Sequence, residues 1–368
     1  MGDDLVGPQS TEVTETTEVT ETTEVKDAPV TLALDAEGGD NAPGEIVAGA
    51  LLAASSSLRV LLVGRPQVIE PHLAGDVSAT ARSHISVLAS ASVISSHDEP
   101  AAAVKTMHDA SIVVGARSVA DGLSQGFVSA GSTGAMLAAA LLIVRRAGGI
   151  RRPAIVTLLP GVRGPVVFLD SGANAECRPE HLVEFAILGT AYSRTVIGKA
   201  GPRVGLLNIG VEEGKGNELA QAAHRLLERS GLNFVGNVEG TDLLADVADV
   251  VVTDGFTGNV ALKAMEGCAG AVFSRVRDAA GTGVRSKVGG ILLRPALRRM
   301  RAGYDPEEYG GTCLLGVRGL IVICHGNATR KAIANGLRFG AEALRKGVLA
   351  GVEAEVARIT VPGDPAAS

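Results

Sequence analysis

From Val30 onward, short apolar runs alternate with longer segments of helical periodicity, and this alternation constrains the fold more than any other feature of the sequence. Most of the apolar runs lack polar alternation, which is typical of strands buried on both faces of a sheet. The runs cover residues 30–34, 59–63, 84–88, 126–130, 154–159, 165–170, 203–209, 249–253 and 320–324. Helical patterns cover residues 43–57, 98–121, 134–147, 179–197, 216–230, 257–280 and 328–346. The alternation predicts an α/β fold with a mostly parallel sheet covered by helices, and the adjacent runs 154–159 and 165–170 predict an antiparallel excursion.

The composition favours one large folded unit. Of the 368 residues, 46% are hydrophobic and 20% are charged, so the chain can bury a substantial core. Residues 11–25 repeat Thr, Glu and Val without a large apolar side chain, which predicts a disordered acidic tail over residues 1–28. We therefore expect a single α/β domain over residues 29–350 and a C-terminal tail over residues 351–368.

Several classes of function are disfavoured. The net charge of −6 argues against a general nucleic-acid binder. The four cysteines form no CxxC pair, so neither a zinc site nor a disulfide framework is expected. The sequence has neither GxxxxGK[ST] nor GxGxxG, which argues against a P-loop hydrolase and the usual dinucleotide site. The longest apolar run, residues 135–144, is too short to span a membrane, and no secretory signal is evident, so we expect a cytoplasmic protein that is at most peripherally membrane-associated.

Two Gly-x-Thr-Gly turns, Gly131–Gly134 and Gly255–Gly258, each follow a strand-like run and lead into a helical one. Glycine lets a ligand approach the backbone, and a helix start offers free N–H groups to an anion such as phosphate. Polar, glycine-rich segments also follow the runs that end near residues 34, 169, 209 and 324. Because ligands bind at the carboxyl ends of parallel strands, we expect all six loops to share one edge of the sheet and to bind an oxyanion.

The candidate residues come from these loops. Lys215 is a candidate counter-charge for phosphate, and His325 is a candidate acid/base group or phosphate ligand. The predicted catalytic residues are Asp35, Asp40, Lys215, Asp254 and His325. The predicted substrate-binding residues are Gly38, Gly39, Gly131, Ser132, Thr133, Gly134, Asp170, Asn174, Thr257, Gly258 and Asn259. A GxSxG at Gly122–Gly126 is not assigned a catalytic role, because its strand-like run follows Ser124 instead of preceding it.

The chain resembles the bacterial phosphate acyltransferases, the acyl-ACP:phosphate acyltransferases of phospholipid synthesis, from about Thr31 to about Leu349. The segments that carry the resemblance include LALDAEGGDNAPGEIVAGA, FVSAGSTGAM, RRPAIVTLLP, LDSGANAECRPEHLVEFAILG, RVGLLNIGVEEGKGNELAQ and DGFTGNVALKAMEG. It implies transfer of a fatty acyl group from acyl carrier protein to inorganic phosphate, giving an acyl phosphate that a membrane glycerol-3-phosphate acyltransferase consumes. It further implies a homodimer without an organic cofactor, and a three-layer α/β/α sandwich similar to the isocitrate/isopropylmalate dehydrogenases and the phosphotransacetylases.

The chain departs from the family pattern at several positions. Glu37 stands where the first loop of the family usually has Met, and Ser132 stands where the family has Asn. Glu37 brings a negative charge close to the predicted anion site. The alternatives are a phosphotransacetylase-like enzyme that uses acyl-CoA, a decarboxylating hydroxy-acid dehydrogenase and a phospho-ligand sensor without turnover.

Residues 285–301 combine six basic side chains with apolar Ile291, Leu292, Leu293 and Leu297. Three interpretations remain open for this segment: a solvated helix packed on the core or on a partner subunit, a docking patch for acyl carrier protein, and a peripheral membrane contact. Pro295 is expected to interrupt any single helix here.

Overall fold

The computed structural model describes residues 29–74, 78–302, 307 and 310–359, so the predicted disordered tail 1–28 lies outside the described residues. The strands are β1 Val30–Asp35, β2 Leu58–Gly64, β3 Ile85–Ala89, β4 Gly126–Ser129, β5 Ala154–Gly161, β6 Gly164–Leu169, β7 Val204–Asn208, β8 Phe234–Glu239, β9 Val250–Val252, β10 Thr312–Leu315 and β11 Leu320–Ile323. The α-helices are α1 Gly44–Ala53, α2 Pro66–Leu73, α3 Ala79–Ser83, α4 Pro100–Thr106, α5 Ser111–Ala120, α6 Thr133–Ala139, α7 Pro179–Tyr192, α8 Glu218–Glu228, α9 Gly255–Gly281, α10 Val284–Ala302, α11 Arg330–Arg345 and α12 Val348–Arg358. Short π-helical turns, Ala140–Val144 and Ser193–Ile197, extend α6 and α7.

All nine predicted strands are present, and the predicted antiparallel pair is the β5–β6 hairpin. Two strands were missed. β8 contains Gly236 at positive φ and polar Asn237, so its sequence does not read as an apolar run. β10 has only four residues. The predicted helix over 98–121 is divided into α4 and α5.

The strands form one 11-stranded sheet in the order β3-β2-β1-β4-β11-β10-β5-β6-β9-β7-β8. β1, β2, β3, β4 and β11 run parallel to one another, and so do β6, β7, β8 and β9. β10 is antiparallel to both β11 and β5, and β5 is antiparallel to β6, so the second group runs opposite to the first. The expectation that all six polar loops share one edge is therefore wrong: three strands end towards each edge.

The register of the sheet nevertheless brings the two sets of strand ends to the same level. Val128, Val322, Cys313 and Val156 form one row across β4, β11, β10 and β5. The next residue of β5, Thr157, pairs with Phe168 of β6. Thus β4 and β11 end one residue beyond this row, while β6 arrives at the row from the opposite direction. The two groups are offset along the strands, and their carboxyl ends meet near the middle of the sheet.

Helices cover both faces. Along β1, Leu32 and Leu34 pack in one core cluster while Ala33 packs in another, because successive strand side chains point to opposite faces. The first face is covered by α1, α7, α8, α11 and α12, and the second by α4, α5 and α6. Phe168 and Val251 extend the second face into a smaller cluster under α9. The predicted α/β/α layering is thereby confirmed.

Two expectations about the C-terminal part are corrected. The predicted tail boundary at residue 350 is too early, because residues 348–358 form α12, with Val352 only 3% exposed and Glu355 paired with Arg194. Pro295 does not interrupt a helix: α10 continues from Val284 to Ala302 with the proline inside it.

Candidate active site

A pocket of about 320 Å³ lies beside β5, between α6 and α9, and its lining reaches both faces of the sheet, because Leu158 and Phe339 pack with the first-face cluster. Its polar lining includes Thr133, Thr157, Ser171, Asn259, Lys263, Glu266, Thr312 and His325. Its apolar lining includes Leu158, Leu159, Leu244, Leu262, Met265 and Phe339. Three predicted site residues, Thr133, Asn259 and His325, therefore meet at one cavity, although they follow strands that run in opposite directions. The pocket can accommodate a polar reacting group at one end and an aliphatic chain at the other.

The β4–α6 turn offers hydrogen-bond donors to this pocket. Ser132 is the N-cap of α6, and its hydroxyl accepts a long hydrogen bond of 3.4 Å from the N–H of Ala135. Within the described residues, the N–H groups of Thr133 and Gly134 have no protein acceptor. The cap is thus Ser132, and the first two helical N–H groups are available to an anion.

Asp35 lies directly below this turn. Its carboxylate has no exposed surface and accepts hydrogen bonds from the Ser129 hydroxyl at 2.8 Å and the Glu37 N–H at 3.2 Å. Ser129 in turn accepts from the Gly131 N–H at 2.9 Å. Burial raises the pKa of Asp35, and these hydrogen bonds act against the rise. Asp35 therefore shapes the turn through Ser129 and does not reach the pocket itself.

The β9–α9 turn has the same Gly-x-Thr-Gly pattern but is closed by the protein. The Asp254 carboxylate caps α9, accepting from the Thr257 N–H at 2.9 Å and the Thr257 hydroxyl at 2.7 Å. The Gly255 N–H donates to the Asn174 carbonyl, and the Gly258 N–H to the Asp254 carbonyl. Asp254 is the cap, and the first turn of α9 keeps few donors for a ligand.

The glycines of this second turn are required by packing. A Cβ at Gly258 would lie 2.0 Å from the Asp170 carbonyl oxygen, and one at Gly255 would lie 2.7 Å from the Asn174 carbonyl oxygen. The start of α9 thus lies directly against the loop after β6. Asn259 reaches over this loop, its side-chain amide donating to the Ser171 carbonyl at 3.2 Å.

Asp170 and Asn174 hold that loop together. The buried Asp170 carboxylate accepts hydrogen bonds from the N–H groups of Ile155, Gly172, Ala173 and Asn174 and from the Asn174 side chain, at 2.7–3.2 Å. Asn174 also donates to the Pro153 carbonyl at 2.7 Å. Burial raises the pKa of Asp170, while the surrounding donors favour the charged form. These contacts make both residues parts of the scaffold beneath the pocket.

The first loop is joined to the loop after β11. The Asp40 N–H donates to the Gly326 carbonyl at 2.7 Å, and the Asn41 side chain donates to the Asn327 carbonyl at 3.0 Å. Gly38 and Gly39 are packed against Asp35 and Ala130, respectively, and Gly39 has φ of 99°. The Asp40 side chain is exposed next to Gly326. This loop consequently supports the position of His325, which is exposed at the pocket edge.

Glu37 does not place an isolated charge in the anion site. Its carboxylate is paired with the Arg65 guanidinium at 2.6 Å and accepts from the Arg65 N–H at 2.7 Å. The ion pair with Arg65 neutralises the negative charge that Glu37 adds relative to the family sequence. It also directs the Glu37 carboxylate towards the end of β2 and away from the β4–α6 turn.

Two lysines, Lys215 and Lys263, are candidates for the positive charge that would balance a bound anion. Lys215 lies in the loop after β7, with its side chain 51% exposed and its Nζ 4.0 Å from Glu212, and it does not line the pocket. Lys263, which the sequence reasoning missed, lines the pocket from α9 and lies 3.1 Å from Glu266. Lys263 follows Asn259 by four residues and so shares its helix face, a spacing that could have identified it.

The cysteines do not supply an activated nucleophile. Cys324 lines the pocket, but burial raises its pKa to about 12. Burial, with a further contribution from Asp170, raises the pKa of half-buried Cys177 to about 12 as well. Both thiols are therefore protonated at neutral pH, which disfavours an acyl-cysteine intermediate.

Neither a metal-binding cluster nor a membrane-spanning helix occurs among the residues that the structure describes. They contain no group of three or more His, Cys, Asp or Glu side chains arranged to hold a metal ion. Among them there is also no helix with the length and apolar character needed to cross a bilayer.

The fold is that of the phosphotransacetylases. A phosphotransacetylase from Streptococcus pyogenes superposes with a TM-score of 0.55 at 17% identity, covering 87% of this chain and 96% of that one. The EutD phosphotransacetylase from Staphylococcus aureus gives a TM-score of 0.54 at 17% identity, covering 86% and 95%. At this level of identity the likeness concerns the architecture alone.

Sequence comparison gives the family. The family model described as "Fatty acid synthesis protein" matches residues 30–350. A phosphate acyltransferase from Heliobacterium modesticaldum is 48% identical over 326 residues, covering 88% of this chain and 97% of the relative. One from Desulfitobacterium hafniense is 45% identical over 332 residues, covering 89% and 98%. The chain belongs to this family, whose members are acyltransferases, and the resemblance seen in the sequence is confirmed.

Proposed function

We propose that this protein transfers a fatty acyl group from acyl carrier protein to inorganic phosphate, giving acyl phosphate for phospholipid synthesis. The observation that carries the proposal is the pocket between α6 and α9. It joins the free N–H groups of Thr133 and Gly134, which suit an oxyanion, to an apolar wall that suits an aliphatic chain. The names of the relatives support the same chemistry.

The β4–α6 turn is the proposed phosphate site. Its N–H groups are free, whereas those of the β9–α9 turn are largely occupied by Asp254 and Asn174. Lys263 supplies a positive charge from across the pocket, and Thr133 adds a hydroxyl. Held there, a phosphate oxygen attacks the thioester carbonyl carbon, and the C–S bond breaks as the tetrahedral intermediate collapses.

The proton balance of this step is simple. Hydrogen phosphate becomes the acyl phosphate dianion, and the proton it loses ends on the sulfur of the departing thiol. His325 at the pocket edge is the proposed carrier of that proton, and Asn259 and Ser171 are proposed to stabilise the oxyanion of the intermediate. The reaction balances without a redox step, and we propose that it uses no organic cofactor.

The acyl chain is assigned to the apolar part of the pocket. Leu158, Leu159, Leu244 and Met265 line it from β5, α9 and the segment after β8. Burial of methylene groups there would stabilise a bound chain by about 0.8 kcal/mol each. A short acetyl group would gain little from this surface, which favours a fatty acyl donor over the acetyl donor of a phosphotransacetylase.

We also propose a cytoplasmic homodimer whose product passes to the membrane glycerol-3-phosphate acyltransferase. α9 and α10 form a hairpin that exposes Val276, Val288, Ile291 and Leu292, with Leu292 76% exposed. Such an apolar face suits a second copy of the chain. The side chains of residues 298–301, part of the basic patch predicted over 285–301, lie outside the described residues, so its three interpretations stay open.

The test is to incubate the purified protein with acyl-ACP and phosphate and to detect acyl phosphate by mass spectrometry. Turnover with a long-chain acyl-ACP but not with acetyl-CoA is the expected result. Preference for acetyl-CoA would support the phosphotransacetylase alternative. Turnover that requires NAD(P) and a divalent metal would support a dehydrogenase, and phosphate binding without product would support a sensor.

A further inference from the structure

A second pocket, of about 520 Å³, is lined by basic side chains and is separate from the site described above. Its lining consists of Leu141, Arg146, Arg151, Arg152, Arg178 and His181. The cavity brings four arginines together in a chain whose net charge is −6. Because like charges repel, such a cluster is stable only where the charges are paired or meet solvent and an anionic partner.

The acidic neighbours do not neutralise this pocket. Glu184 is buried and engaged by Arg151, accepting its N–H at 2.8 Å and lying 3.6 Å from its guanidinium. Glu180 is the other carboxylate whose charge acts on His181. Within the described residues, the guanidinium groups of Arg152 and Arg178 make no ion pair and no hydrogen bond, and both residues are exposed. Two unpaired cations therefore face the cavity.

A buried histidine provides a directed donor in the same pocket. His181 is only 8% exposed, and its Nδ1 accepts a hydrogen bond of 3.1 Å from the Arg178 N–H. Since Nδ1 is the acceptor, the proton of the neutral ring is on Nε2, which has no protein partner among the described residues. Burial, reinforced by Arg152, lowers the pKa of His181 and keeps the ring neutral near pH 7. The pocket thus presents an N–H donor between arginines, which is an arrangement for carboxylate or phosphate oxygens.

The basic pocket lies close to the candidate active site. Arg152 precedes Ile155 of the active pocket by three residues, about 10 Å along an extended chain. Leu141 follows Thr133 by eight residues, about 12 Å along the helix that begins at the phosphate-binding turn. Two separate chain segments therefore give a similar separation between the two pockets.

We propose that this arginine pocket docks the acidic surface of the carrier protein that delivers the acyl thioester, so that its prosthetic arm enters the pocket between α6 and α9. The inference rests on the proposed function. A charged surface of this kind chiefly increases the rate of encounter and fixes orientation. An acyl thioester that lacks a carrier protein would enter the active site without contacting the arginine pocket.

The experiment compares two donors in the double charge-reversal variant Arg152→Glu/Arg178→Glu. With acyl-ACP, KM is expected to rise at least tenfold; with acyl-pantetheine, which lacks the acidic protein, kcat/KM should stay within about twofold of the unaltered enzyme. The matched control is Arg225→Glu, an exposed arginine on α8 outside the described pockets, which should change neither value. Arg152→Lys/Arg178→Lys should retain most of the affinity for acyl-ACP.

Direct binding of holo-ACP, followed by fluorescence anisotropy over a salt series, completes the test. Loss of binding in the charge-reversal variant and a steep salt dependence in the unaltered protein are expected. An unchanged KM for acyl-ACP, or an equal loss with both donors, would overturn the docking inference while leaving the proposed function intact. Failure of the unaltered protein to turn over acyl-ACP at all would instead refute the proposed function.

Discussion

Replacing Asp170 tests whether its carboxylate stabilises the fold or binds substrate. The sequence assigned Asp170 to substrate binding, but its carboxylate accepts five hydrogen bonds from the protein and is fully buried. In Asp170→Ala these five donors lose their acceptor. The donors on Gly172 and Ala173 belong to half-buried residues that water can reach, whereas the Ile155 and Asn174 N–H groups are buried.

The two buried donors set the expected magnitude. An unsatisfied buried donor costs about 1–3 kcal/mol, so their loss should lower the free energy of unfolding by about 4 kcal/mol. With an unfolding entropy of about 2.1 cal/mol/K per residue over roughly 330 folded residues, this corresponds to a fall in Tm of about 6 °C. Asp170→Asn keeps the volume and one acceptor oxygen, so it should lose less.

The assay is thermal unfolding followed by circular dichroism, with KM for phosphate measured well below the lowered Tm. A scaffold role predicts a large fall in Tm, with Asn between the unaltered protein and Ala. If Asp170→Ala melts like the unaltered protein but has a strongly raised KM for phosphate, the carboxylate binds substrate and the scaffold argument is refuted.

Three further outcomes follow from particular contacts. Lys263→Ala should raise KM for phosphate about tenfold, or 1.4 kcal/mol, in initial-rate assays, because Lys263 lines the pocket; an equal loss in Lys215→Ala would place the loop after β7 against the substrate. Arg330 lowers the pKa of Glu45 from its ordinary 4.5 to about 2, so the Tm advantage over Glu45→Gln should be complete above pH 4.5 and shrink as pH falls towards 2; a pH-independent difference would contradict this. Deleting residues 1–28 should leave Tm and kcat/KM nearly unchanged, because residues 11–25 have no large apolar side chain; a marked fall in either would show that the segment docks.

The sequence predicted nine of the eleven strands described because continuous apolar runs bounded by glycine-rich turns are strong local signals. The relative direction of the two parallel groups depends on the β5–β6 hairpin, because the two antiparallel pairings of β10 leave β5 parallel to β11. β10 pairs with β5 and β11, which are far from one another in sequence, and long-range pairing of this kind is not encoded in local periodicity. The error about a single sheet edge follows from the place of the β5–β6 hairpin between the two parallel groups, which the local sequence pattern does not give.

For the site, turn chemistry identified Thr133, Asn259 and His325, but it could not separate ligand contacts from scaffold contacts. Asp35 and Asp170 follow strands as site residues often do, yet both are buried and bound by the protein. Pocket residues within helices and strands were missed because their sequence positions resemble ordinary solvated ones. Lys263, an exposed lysine on α9, is an example.

The two Gly-x-Thr-Gly turns show how one local pattern can serve two purposes. In the second turn the preceding residue is Asp254, whose carboxylate reaches the N–H and the hydroxyl of Thr257 and closes the helix start. In the first turn the cap is Ser132, whose shorter side chain makes a single long contact and leaves the N–H groups of Thr133 and Gly134 free. A carboxylate cap also repels an incoming anion, whereas a hydroxyl cap does not. We therefore propose that the residue at the cap, more than the glycines, directs phosphate to the start of α6, while α9 supports the wall of the pocket.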